Sequence, residues 1–443
     1  MKRSFADILQ GLDDGRARKV ARKLPSWAAV DAEIPSALSL EQCSSEATAR
    51  YKADLAGRRS TILDLTGGLG VDSWAFSQVA GKVVYFERSE ELAAAAVRNF
   101  ARLGAGPIEV RCETVTPETE LPEADLIYAD PARRDAAGRK VFLLEDCTPD
   151  ILTLLPQMLR KAPAVLLKLS PMADLAMLAG RLSPFLREIH VVESEGEVKE
   201  LLCLLGREPA SLEPEIAVIR LDTLQPGAGD AEAFRFRPQQ EREAVPAYAD
   251  AVRPGDTLLV PSPALLKAGA FNHPCARWGL RKLAPSTHLY LFPSLPGAKT
   301  GPSAPGNPIS PLPGANTPPC APGNPTSPLP GAKTPPCAPG NPISPLPGAK
   351  TGPSAPGGLP AEASAWFKTY GIREVLPFGN ASFKELKRRY PRAEVTARNL
   401  PLSSEELRKK MGISPGGDAH IFACRIADGS PLLLVCRPAA SGA

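Results

Sequence analysis

Thr61-Ile62-Leu63-Asp64-Leu65-Thr66-Gly67-Gly68-Leu69-Gly70-Val71-Asp72-Ser73 is the stretch that decides the fold. Ile62, Leu63 and Leu65 read as a buried strand, and Thr66 to Gly70 as a tight turn. From Val71 onward, Trp74, Phe76 and Val79 follow at helical spacing. Strand, glycine turn and helix in that order open a nucleotide-binding α/β domain. Glycine serves such a turn because a Cβ would block both positive φ angles and the close approach of a ligand.

Outward from this unit, apolar strands alternate with helical stretches as far as residue 222. Candidate strands are Thr61–Leu65, Lys82–Glu87, Ile108–Cys112, Leu126–Ala129, Ala164–Leu169, Glu188–Glu193 and Ala217–Leu221, with helices such as Glu90–Leu103 and Asp150–Leu159 between them. The pattern predicts an α/β fold: a doubly wound, Rossmann-like sheet of seven parallel strands over residues 56–222. Residues 1–55 read as a helical segment. It carries a basic cluster, Arg16, Arg18, Lys19, Arg22 and Lys23, and a helix starting with Ser39 as N-cap. A small unit with strands Thr257–Val260 and His288–Phe292 occupies residues 244–292.

The composition then breaks. Leu295-Pro296-Gly297-Ala298 recurs at Leu312, Leu329 and Leu346, every 17 residues. So little apolar content cannot offset chain entropy, and residues 293–360 read as a disordered or polyproline-II-like insertion. Residues 363–438 return to a small α+β pattern. It includes a basic helix around Lys384, Lys387, Arg388, Arg389 and Arg392, a capping box Ser403-x-x-Glu406, and a hairpin of His420–Ile426 with Pro431–Cys436.

Of the 443 residues, 43% are hydrophobic and 23% charged, as in ordinary globular proteins, and a net charge of +4 does not by itself imply nucleic acid. No run approaches the roughly 18 apolar residues that span a bilayer, so no membrane association is expected. Met1 to Gly15 lacks the continuous apolar core of a secretory signal. Nine cysteines without a Cys-x-x-Cys pair suggest reduced thiols and a cytoplasmic protein. His190, His273, His288 and His420 form no ligand spacing, and no metal is expected.

Three features follow the glycine turn at strand ends, where doubly wound sheets bind ligands. Glu87 ends the second strand, where an acidic side chain holds ribose hydroxyls. Glu113 follows the third strand and can reach an adenine or its ribose. Asp130-Pro131-Ala132-Arg133-Arg134 follows the fourth. Lys168, ending the fifth, suits either a substrate phosphate or an internal ion pair with Glu197 or Glu200.

Asp64-x-x-x-Gly68-x-Gly70 is similar to the first motif of class I S-adenosylmethionine-dependent methyltransferases, with Thr66 where a first glycine is common. Asp130-Pro131-Ala132-Arg133 resembles a variant of the Asp-Pro-Pro-aromatic motif of amino-methylating members. More specifically, the chain resembles a bacterial family, common in Bacteroidetes, of such methyltransferases ending in a THUMP-like domain. The segments that carry this are Lys23–Trp27, Glu41–Glu46, Asp64–Asp72, Asp130–Arg134, Lys168–Met172, Lys199–Leu202, Leu266–Phe271 and Arg398–Ser403. The resemblance implies a methyltransferase domain, a ferredoxin-like domain over residues 244–292 and a THUMP-like domain over residues 363–438.

It further implies S-adenosylmethionine as cofactor, held by Asp64, Thr66, Gly68, Gly70, Asp72, Glu87 and Glu113. Asp130 and Pro131 are then the catalytic pair that orients an exocyclic base amine, with Arg133, Arg134 and Lys168 contacting substrate. By analogy with THUMP domains, RNA is the expected partner, and the basic C-terminal helix suits phosphate contact. Two other readings stay open on the residues. One is a non-catalytic RNA-binding protein that keeps the fold. The other is an NAD-dependent oxidoreductase, which the glycine turn and Glu87 also fit.

Overall fold

A computed structural model describes residues 15–133, 144, 147–221, 233–292 and 359–439. Arg134, the first fourteen residues and the proline-rich repeat lie outside them.

The N-terminal segment forms α1 (Pro25–Ala29), α2 (Ala37–Gln42) and α3 (Glu46–Ala56). The single helix expected from Ser39 is thus two. Ser36 caps α2, accepting from Ser39 N at 3.0 Å, and Ser45 caps α3, accepting from Thr48 N at 3.2 Å. The Cys43–Ser45 stretch leaves helical geometry because Cys43 and Ser45 are both extended.

The main sheet is built from β1 (Arg59–Asp64), β2 (Ala80–Phe86), β3 (Ile108–Arg111) and β4 (Leu126–Ala129). A short pair, β5 (Ala132–Arg133) and β6 (Cys147–Thr148), stands apart from it. β7 (Ala164–Leu169), β8 (Leu186–Ser194), β9 (Glu197–Gly206), β10 (Glu215–Arg220) and β11 (Phe234–Phe236) complete it. Strand order is β11-β10-β8-β9-β7-β4-β1-β2-β3. The helices α4 (Val71–Phe76), α5 (Glu90–Arg102), α6 (Ile151–Lys161) and α7 (Leu175–Leu182) alternate with the strands. All four residues of β4 are buried, as a central parallel strand covered on both faces requires.

The seven expected strands all form, and β9 and β11 extend the sheet to nine. β9 runs antiparallel to both β7 and β8, which it separates. It reaches that slot through a hairpin turn at Glu195 and Gly196, both with positive φ (53° and 75°). Two successive left-handed residues give the turn whose twist matches the flanking strands. Because strand order reverses between β1 and β4, the turns after those two strands lie side by side at the carboxyl edge.

The remaining elements are α8 (Pro238–Glu243), β12 (Ala247–Tyr248), β13 (Thr257–Pro261), α9 (Pro263–Lys267), α10 (His273–Trp278), β14 (Arg281–Ala284) and β15 (Thr287–Phe292). After residue 358 come α11 (Ala361–Ser364), β16 (Phe367–Pro377), α12 (Asn380–Arg389), β17 (Glu394–Arg398), α13 (Ser404–Met411), β18 (His420–Arg425) and β19 (Pro431–Pro438). Strands from both sides of the repeat share one eight-stranded sheet, ordered β12-β14-β15-β13-β16-β19-β18-β17. β13 and β16 are antiparallel neighbours, with Thr257 opposite Gly371 and Pro261 opposite Phe367.

Two cores clothe the main sheet. One joins its helices and Phe234 of β11 to Trp278, Tyr290, Trp366 and Phe367 of the second sheet region. The other packs α1–α3 against the opposite face through Leu24, Trp27, Tyr51 and Trp74.

Candidate active site

The turn from Leu65 to Gly70 is stapled to both neighbouring strands. Leu65 N donates to Tyr128 O of β4 (3.0 Å) and Gly67 N to Phe86 O of β2 (2.8 Å). Each glycine has its own reason. A Cβ on Gly67 would lie 2.1 Å from the Tyr85 ring, and one on Gly70 would lie 2.7 Å from Phe100, besides the φ of 92° there. Those two rings pack edge to face at 5.7 Å and form the floor under the turn. Gly68 differs. Its φ is 54°, and a Cβ would meet only Thr66 O at 3.9 Å, so this edge of the turn faces open space.

Asp64 is buried where β1 ends. Its carboxylate accepts from Thr66 N (3.1 Å) and Ser73 Oγ (2.6 Å). Burial, with added repulsion from Asp72 and Asp130, pushes the carboxyl up to about 7. Glu87, half-buried, bridges two backbone groups, accepting from Gly68 N and from Ser89 N, each at 2.8 Å. It thereby ties the turn to the start of α5, whose cap is Ser89. Glu113 is exposed on the loop after β3.

Asp72 belongs to a buried network that the sequence did not disclose. Its Oδ2 accepts from Ser44 Oγ (2.9 Å) and Tyr128 Oη (2.8 Å), and its Oδ1 lies 3.0 Å from Lys52 Nζ. Lys52 is fully buried, and also donates to Ser44 Oγ (2.8 Å) and to both oxygens of Glu200 (3.2 and 3.1 Å). Burial pushes the Asp72 carboxyl up, but Lys52 and Lys168 together hold it below its ordinary value. For Glu200 burial wins over the same two lysines, and its pKa is raised.

Asp130 is held at two points. Its backbone N–H donates to Thr66 Oγ1 (2.6 Å), so the hydroxyl at the unusual first-glycine position reaches across to the turn after β4. Lys168 Nζ donates to Asp130 Oδ2 in a short ion pair. Burial alone would lower the Lys168 pKa, but Asp130, Glu200 and Asp72 drive it above its ordinary value. Lys168 therefore pairs with neither expected partner. Lys52 takes Glu200, and Lys199 lies 3.6 and 3.0 Å from Glu195 and Glu197. Pro131 is buried, and the Ala132–Arg133 backbone pairs with Cys147–Thr148.

The N-terminal segment lies against this same region. Trp27 meets Trp74 edge-on at 6.4 Å, and Lys23 Nζ donates to Leu40 O (2.7 Å) and Glu41 O (3.0 Å), capping α2. Lys23 is thus spent on carbonyls and Lys19 on Glu41 (3.3 Å), which leaves less of the basic cluster for phosphate than its count suggests. On α12, Arg389 pairs with Glu374 and Glu385. Lys384, Lys387 and Arg388 are exposed and make no ion pair among the described residues.

Comparison with known proteins bears on this geometry. Residues 367–438 match the family described as THUMP domain-like, and residues 258–296 a ferredoxin-like domain. No curated protein matches the chain. The crystal structure of a candidate methyltransferase from Porphyromonas gingivalis W83 is 31% identical, aligning over 96% of this chain and 88% of its own, with a TM-score of 0.71. An rRNA methylase from Streptococcus thermophilus aligns over 36% of this chain and 93% of its own, at 13% identity and a TM-score of 0.27. A candidate methyltransferase from Streptococcus mutans, solved with SAH, aligns over 36% of this chain and 96% of its own, at 11% identity and the same score of 0.27. Those two scores add nothing to the argument.

Fold and site together define a protein of the methyltransferase class. By its likeness to the Porphyromonas protein, the chain belongs to the bacterial class I methyltransferases that end in a THUMP-like domain.

Proposed function

We propose that this protein transfers a methyl group from S-adenosylmethionine to RNA, with an exocyclic base amine as the favoured acceptor, in the cytoplasm. The observation that carries the reading is Asp130, fixed by Thr66 through its backbone and by Lys168 through one carboxylate oxygen, beside the glycine turn.

The residues present suit the cofactor. The open edge at Gly68 leaves room for a ligand against the backbone. Asp64, raised to about 7 chiefly by burial and further by Asp72 and Asp130, favours a cationic ligand that would let it ionise. Asp64, Thr66, Gly68, Gly70, Asp72, Glu87 and Glu113 would hold the cofactor, with Asp72 acting through its buried network rather than from an exposed position. The bound donor supplies a sulfonium methyl, which a nucleophile displaces as the carbon–sulfur bond breaks and its electron pair stays on sulfur.

This chain's work is alignment. A base amine is a weak nucleophile because its lone pair is delocalised into the ring. Asp130 Oδ1 and the Pro131 carbonyl can accept the amine hydrogens and draw that lone pair towards the methyl carbon. Lys168 holds the other carboxylate oxygen in place, and the proton released after transfer passes to solvent. Arg133 and Arg134 would contact substrate. Lys384, Lys387 and Arg388 on α12 supply unpaired positive charge for an RNA backbone. No disulfide joins the seven cysteines among the described residues, which suits a reducing compartment.

The test is labelled-methyl transfer to total RNA by the wild type and by Asp130→Ala. Loss of transfer with cofactor binding retained supports an enzyme acting through Asp130. RNA binding with no cofactor binding by the wild type would leave a non-catalytic RNA-binding protein instead.

A further inference from the structure

Arg398 ends β17 half-buried, and makes no ion pair or side-chain hydrogen bond among the described residues. Its Nε is fully screened from solvent without an acceptor. A desolvated guanidinium is costly unless an anion completes it. The next residue, Asn399, adopts a φ of 56° and donates from Nδ2 to Thr287 Oγ1 (3.2 Å), which itself donates to Arg425 O (2.8 Å). That tie holds the exit of β17 against the start of β15 and brings Arg398 near His288.

His288 has an unpartnered buried Nδ1, and its ring stacks on Phe271 at 3.9 Å with 20° between planes. Burial first, then the Lys282 and Arg398 charges, lowers its pKa to about 4, so the ring is neutral at physiological pH. Lys282, also buried, adds a fixed positive charge, donating to Asn272 Oδ1 and Pro285 O, each at 2.9 Å. The nearby carboxylate, Glu241, is spent on the backbone N–H groups of Asn272 and His273. Two segments of the family resemblance, Leu266–Phe271 and Arg398–Ser403, therefore meet around side-chain nitrogens that lack a partner among the described residues. Lys267, four residues before Phe271, donates to Ala173 O (2.8 Å) on the loop that follows Lys168. The segment leading to Phe271 is thus tied to the loop that follows β7.

We propose that Arg398, His288 and Phe271 form a subsite for a backbone phosphate of the RNA strand whose target base lies at Asp130. This rests on the RNA reading above. Arg398 contributes a charge-assisted fork to the phosphate, and neutral His288 donates Nδ1–H. Phe271 holds the imidazole in place by stacking on its face.

The experiment is fluorescence anisotropy with a labelled single-stranded RNA of about 20 nucleotides, long enough for several phosphate contacts, titrated at rising KCl. Arg398→Met should weaken binding at low salt and flatten the slope of log affinity against log salt by about 0.7, the value for one lost contact to a single strand. Arg398→Lys should restore the slope, and His288→Gln should weaken binding with the slope kept. Competition by inorganic phosphate at millimolar concentration that empties the subsite while RNA stays bound would point to a free-anion site and overturn the proposal. So would unchanged affinity and slope in Arg398→Met while the wild type still methylates RNA, a result that spares the function itself. Failure of the wild type to bind RNA at all overturns both.

Discussion

Lys52→Met isolates the buried charge network. The substitution keeps most of the length of the side chain and removes an ammonium within 3.0 to 3.2 Å of Asp72 and Glu200, all three residues being buried. Removing one partner of a buried ion pair leaves uncompensated charge and costs about 3–5 kcal/mol. At roughly 2–4 °C per kcal/mol for a domain of this size, the melting temperature should fall by about 10 °C. The loss should also depend on pH. Glu200 is already raised above the ordinary carboxylate value by burial, against the pull of Lys52 and Lys168. A raised carboxyl contributes most stability below its unfolded value and loses it as pH climbs through the folded one. Removing Lys52 raises Glu200 further, so the variant should lose more ground at about pH 8 than at about pH 5. Circular dichroism melts at the two pH values measure this. The double variant Lys52→Met/Glu200→Gln should recover part of the loss, because the stranded carboxylate has gone. A single variant melting within about 1 °C of wild type, or strict additivity in the double, would refute the network as drawn.

Thr66→Val is isosteric and deprives the Asp130 N–H of its acceptor, at about 1–3 kcal/mol for the unpaired group. Methyl transfer should drop by roughly 10- to 100-fold through misalignment, with Thr66→Ser close to wild type; equal loss in Ser and Val would count against it. Since Asp64 titrates near 7 and a cationic ligand favours its ionised form, S-adenosylmethionine should bind more tightly as pH rises from about 6 to about 8, releasing a proton. Calorimetry in buffers of different ionisation enthalpy reads that proton, and Asp64→Asn should abolish it; a flat profile in the wild type would remove Asp64 from the cofactor site.

The legible parts of this chain were local. β1, its glycine turn and α4 follow from a pattern confined to a few residues, and the Ser403–Glu406 capping box appears as read. The illegible parts depend on distant partners. β9 reads as polar at Glu197, Lys199 and Glu200, and Glu200 can be buried only because Lys52 arrives from α3, 148 residues earlier in the chain. Lys52 itself carries no signal, since a lysine in a polar helix is ordinarily solvated. The glycine turn was read for ligand approach, yet Gly67 and Gly70 answer to Tyr85 and Phe100, rings no motif announces.

The pairing of β13 with β16 limits how this protein can be dissected. β16 opens the THUMP-like stretch, yet its partner lies on the other side of the repeat, in the ferredoxin-like one. Truncation after Phe292 would strip β13 of a neighbour and take Trp366 and Phe367 from the core that also supports the catalytic sheet. Dividing chemistry from recognition in this chain therefore calls for point substitutions.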